Sequence, residues 1–170
     1  MNNQNVMNML NNCKQEIEDI QGIKKVVAST SLIIMFITRY SLIKACGTIE
    51  LAYKTIVADF CENAQSSQVK NFILNRVRNS SDNPTLEKMY NLLNSFDEEW
   101  NKKFKDGINI LEDKEKIFSS LKSLTDSRNE FAHGGNPTIS FDDVVNYFKD
   151  ACLIIEVLDK VINEIPSNTS

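Results

Sequence analysis

Residues 113–135 read DKEKIFSSLKSLTDSRNEFAHGG, and this stretch decides the fold. Ile117, Leu121, Leu124 and Phe131 are separated by steps of 4, 3 and 7, the spacing of one helix face. Polar residues fill most of the intervening positions. The pattern predicts a helix over Asp113–His133, and Gly134-Gly135 supply the left-handed backbone that ends helices. A second helix follows at once. In Ile139-Ser140-Phe141-Asp142-Asp143-Val144, Ser140 can cap, Asp143 holds the acid position of a capping box, and Ile139 and Val144 can staple. That helix continues through Phe148, Cys152, Ile155, Leu158 and Ile162 to Pro166.

Upstream, the helical period recurs. Val6–Gln21 places Met9, Cys13, Ile17 and Ile20 on one face, and Gly22 is a candidate breaker. Lys25–Asn63 is long and apolar nearly all round at its start, which predicts a central position in a bundle. Gly47 within it is a candidate for a close helix contact. Ser67–Asn79 carries Val69, Phe72, Ile73 and Val77. Asn83 then reads as an N-cap with Pro84 at the first helical position, opening a helix that runs to Lys105 and ends at Gly107. Six helical stretches, no strand and short connections predict an all-α antiparallel bundle of five or six helices. Nothing in the pattern divides residues 1–170 into more than a single domain, with 166–170 as a frayed tail.

Composition narrows the class. The 170 residues are 42% hydrophobic and 25% charged, with 5 Gly and 3 Pro, which excludes turn-rich β, collagen-like and disordered chains. Acidic residues outnumber basic ones, 23 to 19, for a net charge of −4. Duplex-DNA binding through phosphates favours the opposite sign. Cys13, Cys46, Cys61 and Cys152 lack C-x-x-C spacing and only one His could join them, so they read as buried thiols rather than a zinc site. No phosphate-loop or dinucleotide glycine spacing occurs. The expectation is a chain without metal or cofactor. Its most apolar run, Val26–Thr38, falls short of the roughly 20 residues a span needs, so no membrane partner and a cytoplasmic location are expected.

Arg128 is out of place. It falls on the apolar stripe between Leu124 and Phe131, where an unpaired charge would cost several kcal/mol if fully buried. It is therefore a structural ion pair, or its face opens onto a cleft or a partner chain. His133, the sole histidine, stands at the helix end, either as a cap whose cation suits the dipole or as a proton-transfer group. In a continuous helix, positions five apart diverge by about 140°. Convergence of the two needs a helix end between them or two chains. Glu50, on a face with Ile43, Gly47, Tyr53 and Val57, is either a partner for Arg128 or a solvated acid. Arg76, Arg78, Lys102, Lys103 and Lys105 fit a solvated basic face better than an RNA guide. Trp100 and Tyr90 fit packing better than base stacking.

The segment Arg128-Asn129-Glu130-Phe131-Ala132-His133 resembles the R-x4–6-H signature of the HEPN superfamily of all-α domains. The Asn after the Arg and the Gly after the His fit its ribonuclease members, as does the place of the motif before the last helix. The resemblance implies a metal-independent endoribonuclease of toxin–antitoxin or phage-defence systems in bacteria. It implies a homodimer whose two motifs face one cleft, with the α stripe of Arg128 at that interface. Arg128 and His133 would be catalytic, with Asn129 orienting His133 or holding a phosphate oxygen, and Glu50 in support. RNA is the implied substrate, an antitoxin or other regulatory protein a further partner. Catalytically silent members exist, so a helical module that binds a partner protein or nucleotide is the alternative.

Overall fold

The computed structural model describes residues 1–26, 28, 32–62 and 66–163. Among them are seven α-helices: α1 (Gln4–Lys24), α2 (Leu32–Glu62), α3 (Ser67–Ile73), α4 (Leu86–Phe96), α5 (Glu98–Asn109), α6 (Lys114–Ala132) and α7 (Phe141–Asn163). A π-helical turn, Leu74–Arg78, extends α3. No strand occurs among the described residues. The all-α class is as the periodicity predicts. α2 and α7 pack together at the centre, with α1 on α2, α6 on α7, and the α4–α5 pair docked through α5 on α7. Their shared core includes Leu42, Ile49 and Ile56 of α2, Ile117, Leu121 and Leu124 of α6, and Val144, Ile154 and Leu158 of α7. Each such side chain contributes about 1.5–3 kcal/mol by leaving water.

Several helix boundaries differ from the sequence reading. The expected Asn83–Lys105 helix is two helices. Asp97 adopts an extended backbone, and its carboxylate caps α5 by accepting from Glu99 N–H at 2.7 Å and Trp100 N–H at 3.3 Å. Thr85, not Asn83, caps α4. Pro84 lies outside the helix and is buried. Gly107 does not stop α5, which runs to Asn109. Instead, an added Cβ there would lie 2.7 Å from Val157 Cγ1, so the glycine allows α5 to approach α7 closely. Gly22 stays inside α1. At Gly47 an added Cβ would meet nothing within 4 Å, so among the described residues that position marks no close contact inside the chain.

The start of the second helical stretch departs most. Lys25 and Val26 lie in a turn, and Asn63 falls outside the described residues. α2 is long and apolar enough, by length and composition, to cross a membrane. From Thr38 onward its inner face is core, but Leu32 and Phe36 are 69% and 61% exposed. All-round apolarity therefore does not make this first part central. The expected tail at 166–170, with the end at Pro166, also lies outside the described residues. The capping box of α7 forms as read: Ser140 N–H donates to Asp143 Oδ2 and Asp143 N–H to Ser140 Oγ, both at 3.1 Å. All four cysteines are free thiols, Cys13 and Cys46 buried, Cys61 and Cys152 half-buried.

The Asn-rich N-terminus is held by two aspartates. Asn2 and Asn3 N–H groups donate to the buried Asp159 carboxylate, while the Asn3 and Asn5 side-chain amides donate to Asp59. Arg78 bridges Asp59 and Glu62. Burial alone would raise Asp59, but donors from Arg78, Asn3 and Asn5 outweigh it and hold the carboxyl below its ordinary 3.8. The Arg78 bond holds Glu62 below 4.5. Acids depressed in the folded state contribute stability above their ordinary pKa and lose it as pH falls through the folded value. Arg78→Ala is therefore expected to lower the urea midpoint at about pH 6 and to change it progressively less as the pH falls through the depressed folded values of these acids.

Candidate functional site

The apolar stripe of α6 packs within its own chain. Ile117, Leu121 and Leu124 are buried in the shared core, so this stripe is not the subunit interface that the resemblance placed there. The face is apolar because α7 and α2 cover it. Arg128 sits where that coverage ends, half-buried beside α2 and the segment before α4. Its Nη1 donates to Asn83 Oδ1 at 3.0 Å and to Asn129 Oδ1 at 3.3 Å. Among the described residues these two amide oxygens are its hydrogen-bond partners, and no carboxylate pairs with it. Burial pushes the nearby Cys46 thiol up to about 12, with the Arg128 charge and a Thr125 hydrogen bond opposing and the Glu50 charge adding. At neutral pH the thiol is uncharged and leaves the guanidinium charge unneutralised.

Glu50 lies close to this cluster but bonds elsewhere. Its Oε1 accepts from Lys54 Nζ at 2.5 Å and from Asp82 N–H at 3.2 Å. The side chain thus serves the Ser80–Pro84 segment. Asn129, in turn, directs its side-chain oxygen to Arg128.

The end of α6 is a Schellman closure. Gly134 N–H donates to Phe131 O at 3.1 Å, Gly135 N–H to Glu130 O at 2.8 Å, and Gly134 has φ +84°. His133 is the C-cap, its N–H donating to Asn129 O at 3.0 Å, and its side chain is exposed. Helical structure persists through Ala132, so within one chain Arg128 and His133 depart about 140° apart. The helix does not end early enough to bring them together. At Gly135 an added Cβ would lie 2.6 Å from Glu130 Cγ and 2.9 Å from Glu130 O, the oxygen that accepts its own N–H. Gly135→Ala should therefore open this closure, costing about 1 kcal/mol for the lost hydrogen bond alone. Thermal denaturation would register a lower Tm, and the His133 imidazole NMR signals would shift.

Two residues at the site were not legible from the motif. Arg39 lays its guanidinium over the Phe131 ring, 5.2 Å from the centroid, and donates to Asn136 Oδ1 at 2.6 Å. It clamps α2 to both sides of the glycine pair. Its sequence signal was only that it ends the apolar run. Asn83 is the other, disguised as a helix cap. A groove of about 740 Å³ adjoins the clamp, lined in part by Lys24, Thr38, Arg39, Asn136 and Ser140, but neither Arg128 nor His133 lines it. Of the basic residues in mid-chain, Arg78 is committed to Asp59 and Glu62, whereas Arg76, Lys102, Lys103 and Lys105 are exposed. Trp100 packs edge-on to Phe60 and Tyr90 edge-on to Phe104. Among the described residues no group of three or more His, Cys, Asp or Glu is arranged to hold a metal.

The family profile described as RiboL-PSP-HEPN matches residues 7–164, from α1 to the end of the last helix. No curated protein and no solved structure matches the chain. A match of that extent takes in every helix of the bundle and the Arg128–His133 segment, and the chain belongs to the RiboL-PSP-HEPN family of HEPN domains.

Proposed function

We propose that this chain is a metal-independent endoribonuclease, acting as a homodimer in a toxin or phage-defence role. The observation that carries the reading is Arg128: a half-buried guanidinium held by neutral oxygens, with its charge unspent, five residues before the sole histidine. A fixed cation of this kind suits a phosphodiester, whose oxygens its fork can bind in pairs. RNA carries its own nucleophile, the 2′-OH. An imidazole is the side chain suited to accept that proton or to protonate the leaving 5′-oxygen. Arg128 stabilises the charge that develops on phosphorus-bound oxygens. The products are a 2′,3′-cyclic phosphate and a 5′-OH.

The divergence of Arg128 and His133 in one chain is the reason for the second copy. An exposed apolar row on α2 suits it: Ile33, Phe36, Tyr40 and Ile43 follow the alternating 3–4 spacing by which like helices mesh, and Gly47 continues it. That same divergence favours the alternative, a non-catalytic module that uses the Arg128 charge to bind a nucleotide or partner protein. Incubation of purified protein with total RNA in EDTA, with the cut ends mapped, separates the two. Cleavage to 2′,3′-cyclic phosphate ends supports the ribonuclease. RNA binding by the dimer without cleavage supports the module. An antitoxin or other regulatory protein, and action in the cytoplasm, belong to the ribonuclease reading.

A further inference from the structure

We infer that Asn83 is a positioning residue that aims Arg128 while leaving its positive charge uncancelled; the use made of that charge rests on the ribonuclease reading. The segment bearing Asn83 is a connection between helices, the kind of backbone that ordinarily moves. Here it is anchored repeatedly. Lys54 Nζ donates to Ser80 O, and Asp82 N–H donates to Glu50 Oε1 at 3.2 Å. Lys88 pairs with the Asp82 carboxylate at 2.9 Å. Thr85 N–H donates to Asn83 O at 2.8 Å, closing a three-residue turn on the buried Pro84. Lys54 itself is only 2% exposed and pairs with Glu50, so the anchor is built into the core.

None of these contacts uses the Asn83 side chain. Thr85 already caps α4. Asn83 has no left-handed backbone to relieve, since the positive-φ residues among those described are Asp113 and Gly134. Its side-chain oxygen is spent on Arg128 Nη1, 3.0 Å away. The chemistry of the choice is specific. An aspartate would have the same shape and equal turn-forming ability, but its carboxylate would neutralise the guanidinium. An amide oxygen fixes the fork and leaves the charge for an anion. The Lys54–Glu50 pair thus reaches Arg128 through the backbone of residues 80–83 rather than by direct contact.

Asn83→Ala and Asn83→Asp, each checked for unchanged folding by thermal melt, test this. With Asn83→Ala, kcat for RNA cleavage is expected to fall by up to about 10²-fold through misplacement of the guanidinium, with little change in KM. Asn83→Asp is expected to weaken binding of an oligonucleotide carrying a 2′-deoxy sugar at the mapped cleavage site, because the charge is cancelled. A residue that merely formed the turn would tolerate Asp, so wild-type binding and cleavage by Asn83→Asp would overturn the inference. An independent readout is the side-chain Nε–H NMR signal of Arg128, which should show loosened motion in Asn83→Ala. If wild type cuts no RNA but this signal loosens, the ribonuclease reading falls and the positioning role stands. If wild type cuts RNA and the signal is unchanged, the positioning role is overturned alone.

Discussion

His133→Ala is expected to slow RNA cleavage by about 10²–10⁴-fold, the range that a positioned acid–base group supplies. Folding should be unaffected. The imidazole is exposed, and what His133 gives to the end of α6 comes from its backbone: the N–H to Asn129 O, followed by the two glycine N–H groups. An alanine at the C-cap keeps all of these. The measurement is a rate on a defined RNA in EDTA, wild type against variant, with melting curves alongside. Arg128→Lys is the companion variant. It keeps the charge but loses the planar fork, so it should retain RNA binding and lose much of the rate. Wild-type cleavage by His133→Ala in chelator would remove the imidazole from the chemistry and with it the proposed mechanism. Loss of cleavage with unchanged binding would place the histidine in the bond-breaking step.

Lys54→Ala carries the largest expected cost to folding, about 3–5 kcal/mol, the range for breaking a buried ion pair by removing one partner. Lys54 is 2% exposed, and its ammonium serves both Glu50 Oε1 and Ser80 O. Truncation leaves a half-buried carboxylate with the Asp82 N–H alone and orphans the Ser80 carbonyl. The double variant Lys54→Met with Glu50→Gln removes both charges and should recover much of the loss, since desolvating the pair was itself costly. Urea denaturation of the single and double variants checks this. A Lys54→Ala midpoint equal to wild type would show that the pair contributes nothing to folding. In the double variant the Ser80–Pro84 segment loses its lysine tether, so recovered stability should not fully restore the setting of Arg128.

The local elements were the most legible part of the molecule. The 4, 3, 7 stripe of α6, its glycine stop and the Ser140–Asp143 capping box depend on neighbours within about one helical turn, and the chain order alone specifies them. Where the pattern failed, the competing influence was distant. Gly107 sits inside a helix rather than ending one, and a Cβ there would crowd Val157 of α7. Asn83 is no cap because Thr85 is, and its amide is drawn to a guanidinium 45 residues away. The all-round apolar start of α2 could not reveal which side would be covered, because hydrophobicity without a stripe carries no direction.

By itself, then, the sequence determined the all-α class, the glycine stop of α6, the capping box of α7 and the presence of one arginine and one histidine five positions apart. Only the tertiary structure decided that Arg128 answers to two amide oxygens instead of a carboxylate, that Glu50 belongs to Lys54, and that Arg39 grips the end of α6. The reason is physical. Helical hydrogen bonds close over four residues and are written locally, whereas the partner of a charge is whichever group the packed core brings within about 3 Å.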